Sequence, residues 1–174
     1  TDATPRERVL TDAELAAIWH ACNDDDYGRV VKLLSLTGCR REEIGGIKWS
    51  ELDKSKGTLS LPKERVKNKR QHVVPLSELA LTIIEQVPQR LHRDHLFGER
   101  GPRGFTNWAV GKRELDRRLV GRVAPWRAHD LRRTVATRMA DLGVLPHIVE
   151  AALNHVSGHK GGIAGVYNRS LYEG

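Results

Sequence analysis

The sequence is poor in the residues that staple small secreted domains. It has two cysteines, one methionine, and aromatic residues at only 5% of its 174 positions. Cys22 and Cys39 are too few for a disulfide framework, and both sit in apolar, helix-patterned stretches without the paired spacing of a metal site. A reduced, cytoplasmic setting is therefore expected. No stretch approaches the roughly 20 apolar residues needed to span a bilayer. The opening "TDATPRERVL" lacks the apolar run of a signal peptide. Internal repeats and low-complexity runs are also lacking. Three adjacent carboxylates, Asp24 to Asp26, stand before a helical pattern. Carboxylates there suit capping and dipole compensation better than metal binding, so neither metal nor cofactor is expected.

What the sequence does have is positive charge. Twenty-nine Lys and Arg oppose 22 Asp and Glu, a formal net charge of +7, which favours a polyanionic partner. The length suits one domain with a real core. "TPRERVLTDAELAAIWHAC" reads as a linker and then a helix, with Thr11 as N-cap and Glu14 completing a capping box. "DDDYGRVVKLLSLTG" reads as a buried helix ended by Gly38. "CRREEIGGIKWSELD" reads as a short helix running into a strand. "GTLSLP" and "QHVVPLS" alternate as strands, with the basic run "KERVKNKR" between them. Helical patterns follow in "SELALTIIEQV", "FTNWAVGKRELDRRL", "WRAHDLRRTVATRMADLGV" and "LPHIVEAAL", with a last segment around "GIAGVYNRSLY". The expected fold class is α+β, mostly helical, with a small antiparallel β-sheet.

The stretch from Trp126 to Val144 poses a particular problem. At about 100° per residue, Leu131, Val135, Met139 and Leu142 share an arc of roughly 80°, the expected core face. Arg132 lies only about 20° from Met139 on the same wheel, and His129 is its neighbour one turn back. Three other places carry suggestive residues. Arg40 begins a helix after the Gly38 break, with Glu43 one turn on. Lys67 lies in the basic hairpin. His155 precedes Tyr167 across a glycine-rich stretch. Taken singly, these could be a surface salt bridge, a solvated charge and a half-buried aromatic. Together they suit attack on a phosphodiester. Two arginines can hold the non-bridging oxygens by forked hydrogen bonds. A tyrosine hydroxyl can attack phosphorus, and a lysine can protonate the departing sugar oxygen.

In order and spacing, "TGCRREE", "ERVKNKRQHVVPLS", "AHDLRRTVATR" and "LNHVSG…AGVYNR" resemble the blocks of the tyrosine recombinase catalytic domain. The phage-type and genomic-island integrases are the nearest in pattern, and the resemblance runs from about Leu10 to the C-terminus. It implies that Arg40 and Arg132 clamp the scissile phosphate, that Lys67 protonates the 5′-hydroxyl and that His129 assists proton transfer. It also implies that His155 hydrogen-bonds the phosphate, that Tyr167 forms a 3′-phosphotyrosine and that Glu43 buttresses the site. Lys63, Arg65, Lys69 and Arg70 of the hairpin and Arg133 of the helix would contact DNA. Residues 1–10 would be a linker from an N-terminal core-binding domain, and residues 11–174 the catalytic domain.

The pattern departs from the family in places. Asn154 precedes His155 where many members have glycine, and "HKGG" lengthens the interval to Tyr167, leaving His159 as a competitor to His155. Lys69 competes with Lys67, Arg41 with Arg40, and Tyr172 with Tyr167, whereas Tyr27 falls in a buried helix start. Only seven residues follow Tyr167. The implied partner is double-stranded DNA at attachment sites, in the nucleoid and away from membranes. The full-length protein would be a tetramer on DNA and the isolated chain a monomer. The implied function is site-specific integration or excision of a mobile element. A type IB topoisomerase-like strand transferase and a non-catalytic DNA-binding module are the alternatives.

Overall fold

The computed structural model describes residues 7–155. His159, Tyr167, Tyr172 and the last predicted segment lie outside the described residues. Helix α1 (Asp12–Ala21) opens on the expected capping box: Thr11 accepts from the Glu14 N–H, and Glu14 accepts from the Thr11 N–H. The segment read as a linker is tied to the domain before that helix begins. Leu10 is fully buried, with its N–H donating to Thr134 Oγ1 at 3.0 Å. Arg8 pairs with Glu14 and donates to the carbonyls of Ala124 and Pro125.

Helix α2 (Asp26–Thr37) is the central element. It packs against α3 (Arg41–Gly45), α4 (Glu78–Glu85), α5 (Trp108–Arg118) and α6 (Ala128–Asp141). Asp25 caps it by accepting from the Gly28 N–H at 2.8 Å. Asp26 pairs with Arg90 and accepts from the Gly98 N–H, so these carboxylates act in capping and pairing. Gly38 ends the helix with φ +67°, and a Cβ there would come within 2.5 Å of Leu153 and 2.9 Å of Val135. Both the backbone conformation and the close approach of α6 and of α7 (Pro146–Ala152) require glycine at this point.

The sheet is three-stranded and antiparallel, in the order β1 (Leu52–Asp53), β2 (Thr58–Leu61), β3 (His72–Pro75). Leu59 pairs with Val74 and Leu61 with His72. All four face inward and are buried, while Val73 and Pro75 face out. The alternation expected of half-buried strands is therefore realised. The basic run leaves β2 through a short 3-10 turn, Lys63–Arg65, and returns at His72.

Two readings need correction. Helix α6 ends at Asp141, so Leu142 is its C-cap and is 83% exposed instead of joining the core stripe. The buried face carries Asp130, Leu131, Arg132 and Thr134, and Val135 and Met139 are only half-buried. Cys39 is not helical either; it lies buried in the turn between α2 and α3. Burial pushes both thiols up to about 11. Among the described residues, no helix is long and apolar enough to cross a membrane.

Candidate active site

Helix α6 starts where Asp130 folds back to accept from the Arg127 N–H at 2.7 Å. The buried face of the helix carries Arg132 inward together with Leu131 and Thr134. The Arg132 side chain is only 6% exposed. Nη1 donates to the Gly38 carbonyl and Nη2 to the Leu153 carbonyl, both at 2.8 Å. Each of these carbonyls is at a helix end, where it has no partner within its own helix. Arg132 therefore joins the ends of α2 and α7, and each Nη keeps a second N–H not used by that bond. The question posed by the helical wheel is answered: Arg132 lies beside the apolar stripe because two backbone carbonyls hold it there.

Arg40 is the N-cap of α3, with extended backbone. Its Nη1 donates to Glu43 Oε1 at 3.1 Å, and Glu43 is 3% exposed. Burial, and next the positive charge of Arg40, pull the Arg132 guanidinium below its ordinary value, with Glu43 opposing them. The two guanidinium charges thus act on one another, and the Glu43 carboxylate, bonded to Arg40, partly offsets that repulsion. Arg41 turns elsewhere: its guanidinium lies 5.3 Å from the Trp108 ring centre and pairs with Glu42.

Arg40 lines a cleft of about 470 Å³ together with Glu43, Arg65, Lys67, Lys69 and His129, and Arg132 is not part of that lining. His129 is held below its ordinary value by partial burial first, then by the charges of Arg133, Arg132 and Arg40. A neutral imidazole at neutral pH follows. Lys67 and Lys69 are both exposed on the hairpin, Lys69 with φ +59°, so the cleft accommodates either. The structure thus brings together Arg40, Glu43, Lys67 and His129, with Arg132 buried behind them. His155 is exposed and does not line the cleft; it stands two residues beyond Leu153, with its N–H donating to the Glu150 carbonyl at 2.8 Å. A larger depression of about 770 Å³ around Asn23–Arg29 and α5 holds none of these residues. Tyr27 is in the core against Phe105 and Trp108, and burial pushes its hydroxyl well above its ordinary value.

Of the residues expected on DNA, Lys63, Lys69 and Arg70 are exposed and Arg133 is half-buried. Arg65 is half-buried. It forms a two-pronged pair with Glu51 at 2.8 and 2.6 Å, and its guanidinium also reaches the Glu43 carbonyl. That geometry braces the chain beneath Glu43, and Arg65 also lines the cleft.

Three residues gain a place that sequence reading did not give them. His72 is 4% exposed, and its Nε2 lies 3.1 Å from the Ala152 carbonyl. A carbonyl only accepts, so Nε2 carries the proton. Burial is the main cause that lowers its affinity for a second proton; Glu43 and the Ala152 bond oppose it, while Arg132 and Arg40 reinforce it. The available signal was a polar residue at an inward position of the strand alternation. Asn68 and Asn154 form an amide pair across the site.

Comparison with known proteins accords with this geometry. The Phage integrase family matches residues 8–173. The prophage integrase IntA of Escherichia coli (strain K12) is 34% identical over 143 residues, covering 81% of this chain and 33% of that protein. The chain spans about a third of the length of the curated relatives it matches. Among solved structures, the Tn1549 transposon integrase in complex with a circular intermediate DNA has a TM-score of 0.74 at 17% identity, covering 90% of this chain and 60% of that one. The catalytic domain of bacteriophage HP1 integrase has a TM-score of 0.64 at 16% identity, covering 94% and 86%. The family pattern runs almost from end to end, so the chain belongs to the phage integrase family and has the fold of a tyrosine recombinase catalytic domain.

Proposed function

We propose that this domain cuts and rejoins DNA at defined sites, serving the integration or excision of a mobile element. The observation that carries this reading is the paired guanidinium charge, with Arg132 anchored on two carbonyls and Arg40 on Glu43. Like charges held together in a partly buried cleft favour an anion between them. A phosphodiester under attack gains negative charge on the oxygens that such a clamp would hold.

In the proposed reaction, the Tyr167 hydroxyl oxygen bonds to phosphorus and the bond to the 5′-oxygen breaks. Lys67 gives that oxygen its proton. The tyrosine proton leaves by way of neutral His129 or solvent. Rejoining reverses each transfer, so no oxidant, reductant or cofactor is consumed. His155 would hydrogen-bond the phosphate once DNA is seated. The role of Tyr167 rests on its sequence block, since it lies outside the described residues. Support for DNA as substrate comes from the Tn1549 integrase, whose structure holds DNA. Lys63, Lys69, Arg70 and Arg133 would meet the backbone phosphates, and Arg65 would brace the cleft. The proposed assembly is a tetramer on DNA for the full-length protein and a monomer for this chain.

The test is incubation of the chain with nicked duplexes from a randomised pool, in excess chelator, followed by denaturing electrophoresis. A covalent adduct that maps to Tyr167 by mass spectrometry and is lost in Tyr167→Phe, with DNA binding retained, is the expected result. No adduct would leave a DNA-binding module. An adduct at Tyr172 would move the nucleophile. Strand exchange between two selected sites then separates a recombinase from a strand transferase that only relaxes supercoils.

A further inference from the structure

The hairpin that carries Lys67 is joined to the end of α7 by polar ties. Asn68 Nδ2 donates to Asn154 Oδ1 at 2.9 Å and to the Asn154 carbonyl at 3.2 Å, and Asn154 Nδ2 donates back to Asn68 Oδ1 at 3.3 Å. The same Asn68 oxygen accepts from the Arg70 N–H at 3.1 Å. A backbone N–H can only donate and a backbone carbonyl can only accept, so these two contacts fix which way the Asn68 amide faces. A second tie, from His72 Nε2 to the Ala152 carbonyl, closes the other side of the hairpin.

Asn154 holds this pair at a cost. Its φ is +52°, a left-handed conformation that costs an ordinary L-residue roughly 1–2 kcal/mol and that glycine adopts freely. Asparagine is among the few side chains that visit this region, and here its amide does something glycine could not. It meets Asn68, the residue next to Lys67. On its own side it is flanked by Leu153, whose carbonyl holds Arg132, and by His155. The exposed hairpin and the buried clamp are therefore connected by this pair of amides next to Lys67, alongside the His72 tie.

We infer that the Asn68–Asn154 pair is a positioning device that sets the proton-donating hairpin against the Arg132 side of the phosphate clamp. Neither asparagine touches the reacting atoms; both act through Lys67. The inference rests on the proposed strand-cleavage function. Loss of the pair lets the hairpin sample other placements, so protonation of the leaving oxygen slows while phosphate binding is retained.

The test uses the complete chain and nicked duplexes selected from a randomised pool by wild-type adduct formation. Each is made with a normal 5′-oxygen and with sulfur in its place, because the sulfur leaves without a proton. Asn154→Gly keeps the left-handed backbone, and Asn68→Ala removes the partner from an exposed loop, so each variant checks the fold of the other. Each is expected to slow adduct formation on the oxygen substrate by about tenfold and by less than about twofold on the sulfur substrate, where no proton is needed. The double variant should be no slower than the worse single one, because both remove the same contact. Equal losses on both substrates, with Lys67→Ala still rescued by sulfur, would overturn the positioning role alone. Failure of the wild-type chain to form any adduct would overturn the functional reading and this inference with it.

Discussion

The two parts of the site are built on opposite plans. One is Arg132, buried behind the cleft, fixed to two helix-end carbonyls and backed by the interlocked ends of α2 and α7 at Gly38. The other is the Lys63–Arg70 hairpin, whose lysines are exposed and whose footing is Val66, the Arg65–Glu51 pair and the Asn68 amide. A group that neutralises charge must be immobile and dehydrated, because preorganisation gives it its strength. A group that delivers a proton must reach and withdraw. The difference between the two parts matches the difference between the two tasks.

The largest loss is expected for Lys67→Ala, about 10²–10⁴ in cleavage rate. It should be recovered with sulfur at the 5′ position, and Lys69→Ala should behave as a DNA-contact variant. A reversal of the two would assign the acid to Lys69. Next, Arg132→Lys should slow cleavage on the order of 10²-fold or more on both substrates, because a point charge cannot bond both carbonyls and the phosphate. Rescue of this variant by sulfur would contradict the division of labour. Arg65→Ala should show itself in stability, by about 1 kcal/mol, since it leaves the half-buried Glu51 carboxylate with only the Lys48 N–H as partner. It should not alter the salt dependence of DNA binding, whereas Arg70→Ala should lower that slope by about one counterion. Titrated binding and denaturant unfolding separate the two cases.

The smallest effect concerns His72. The fold holds it neutral, below its ordinary value of 6.5, chiefly by burial. A histidine with a depressed folded value binds its proton more readily when unfolded. Its contribution is therefore complete above 6.5 and is lost as the pH falls below that value toward the folded one. Unfolding curves should show stability falling below pH 6.5, with a shallower fall in His72→Gln. An unchanged slope would mean that His72 does not sense the proton.

Much of this was legible in local sequence. The capping box at Thr11 and Glu14, the glycine stop at Gly38 and the alternation of β2 and β3 follow from rules that act within one or two turns. The Arg40–Glu43 pair is likewise a contact at i and i+3. The rest depends on distant partners. Nothing near Arg65 distinguishes it from its basic neighbours; Glu51, 14 residues earlier, turns it inward. His72 and Ala152 are 80 residues apart, and Asn68 and Asn154 are 86 apart, so no periodicity could pair them. Leu142 was misplaced for a simpler reason: the wheel ran one residue past the end of α6, where Gly143, with φ +84°, turns the chain.

In the proposed reaction, Arg40 and Arg132 act by neutralising the charge on the phosphate. The direct measurement compares wild type and Arg40→Ala on a normal scissile phosphate and on a methylphosphonate, in which one charged oxygen is replaced by a neutral methyl group. Arg40 is the better position to vary, because Arg132 also holds the backbone. If charge neutralisation is its task, Arg40→Ala should be slowed on the order of 10²-fold on phosphate and should come close to wild type on methylphosphonate. An equal deficit on both substrates would mean that Arg40 shapes the cleft without stabilising charge, and the two-arginine clamp would have to be abandoned.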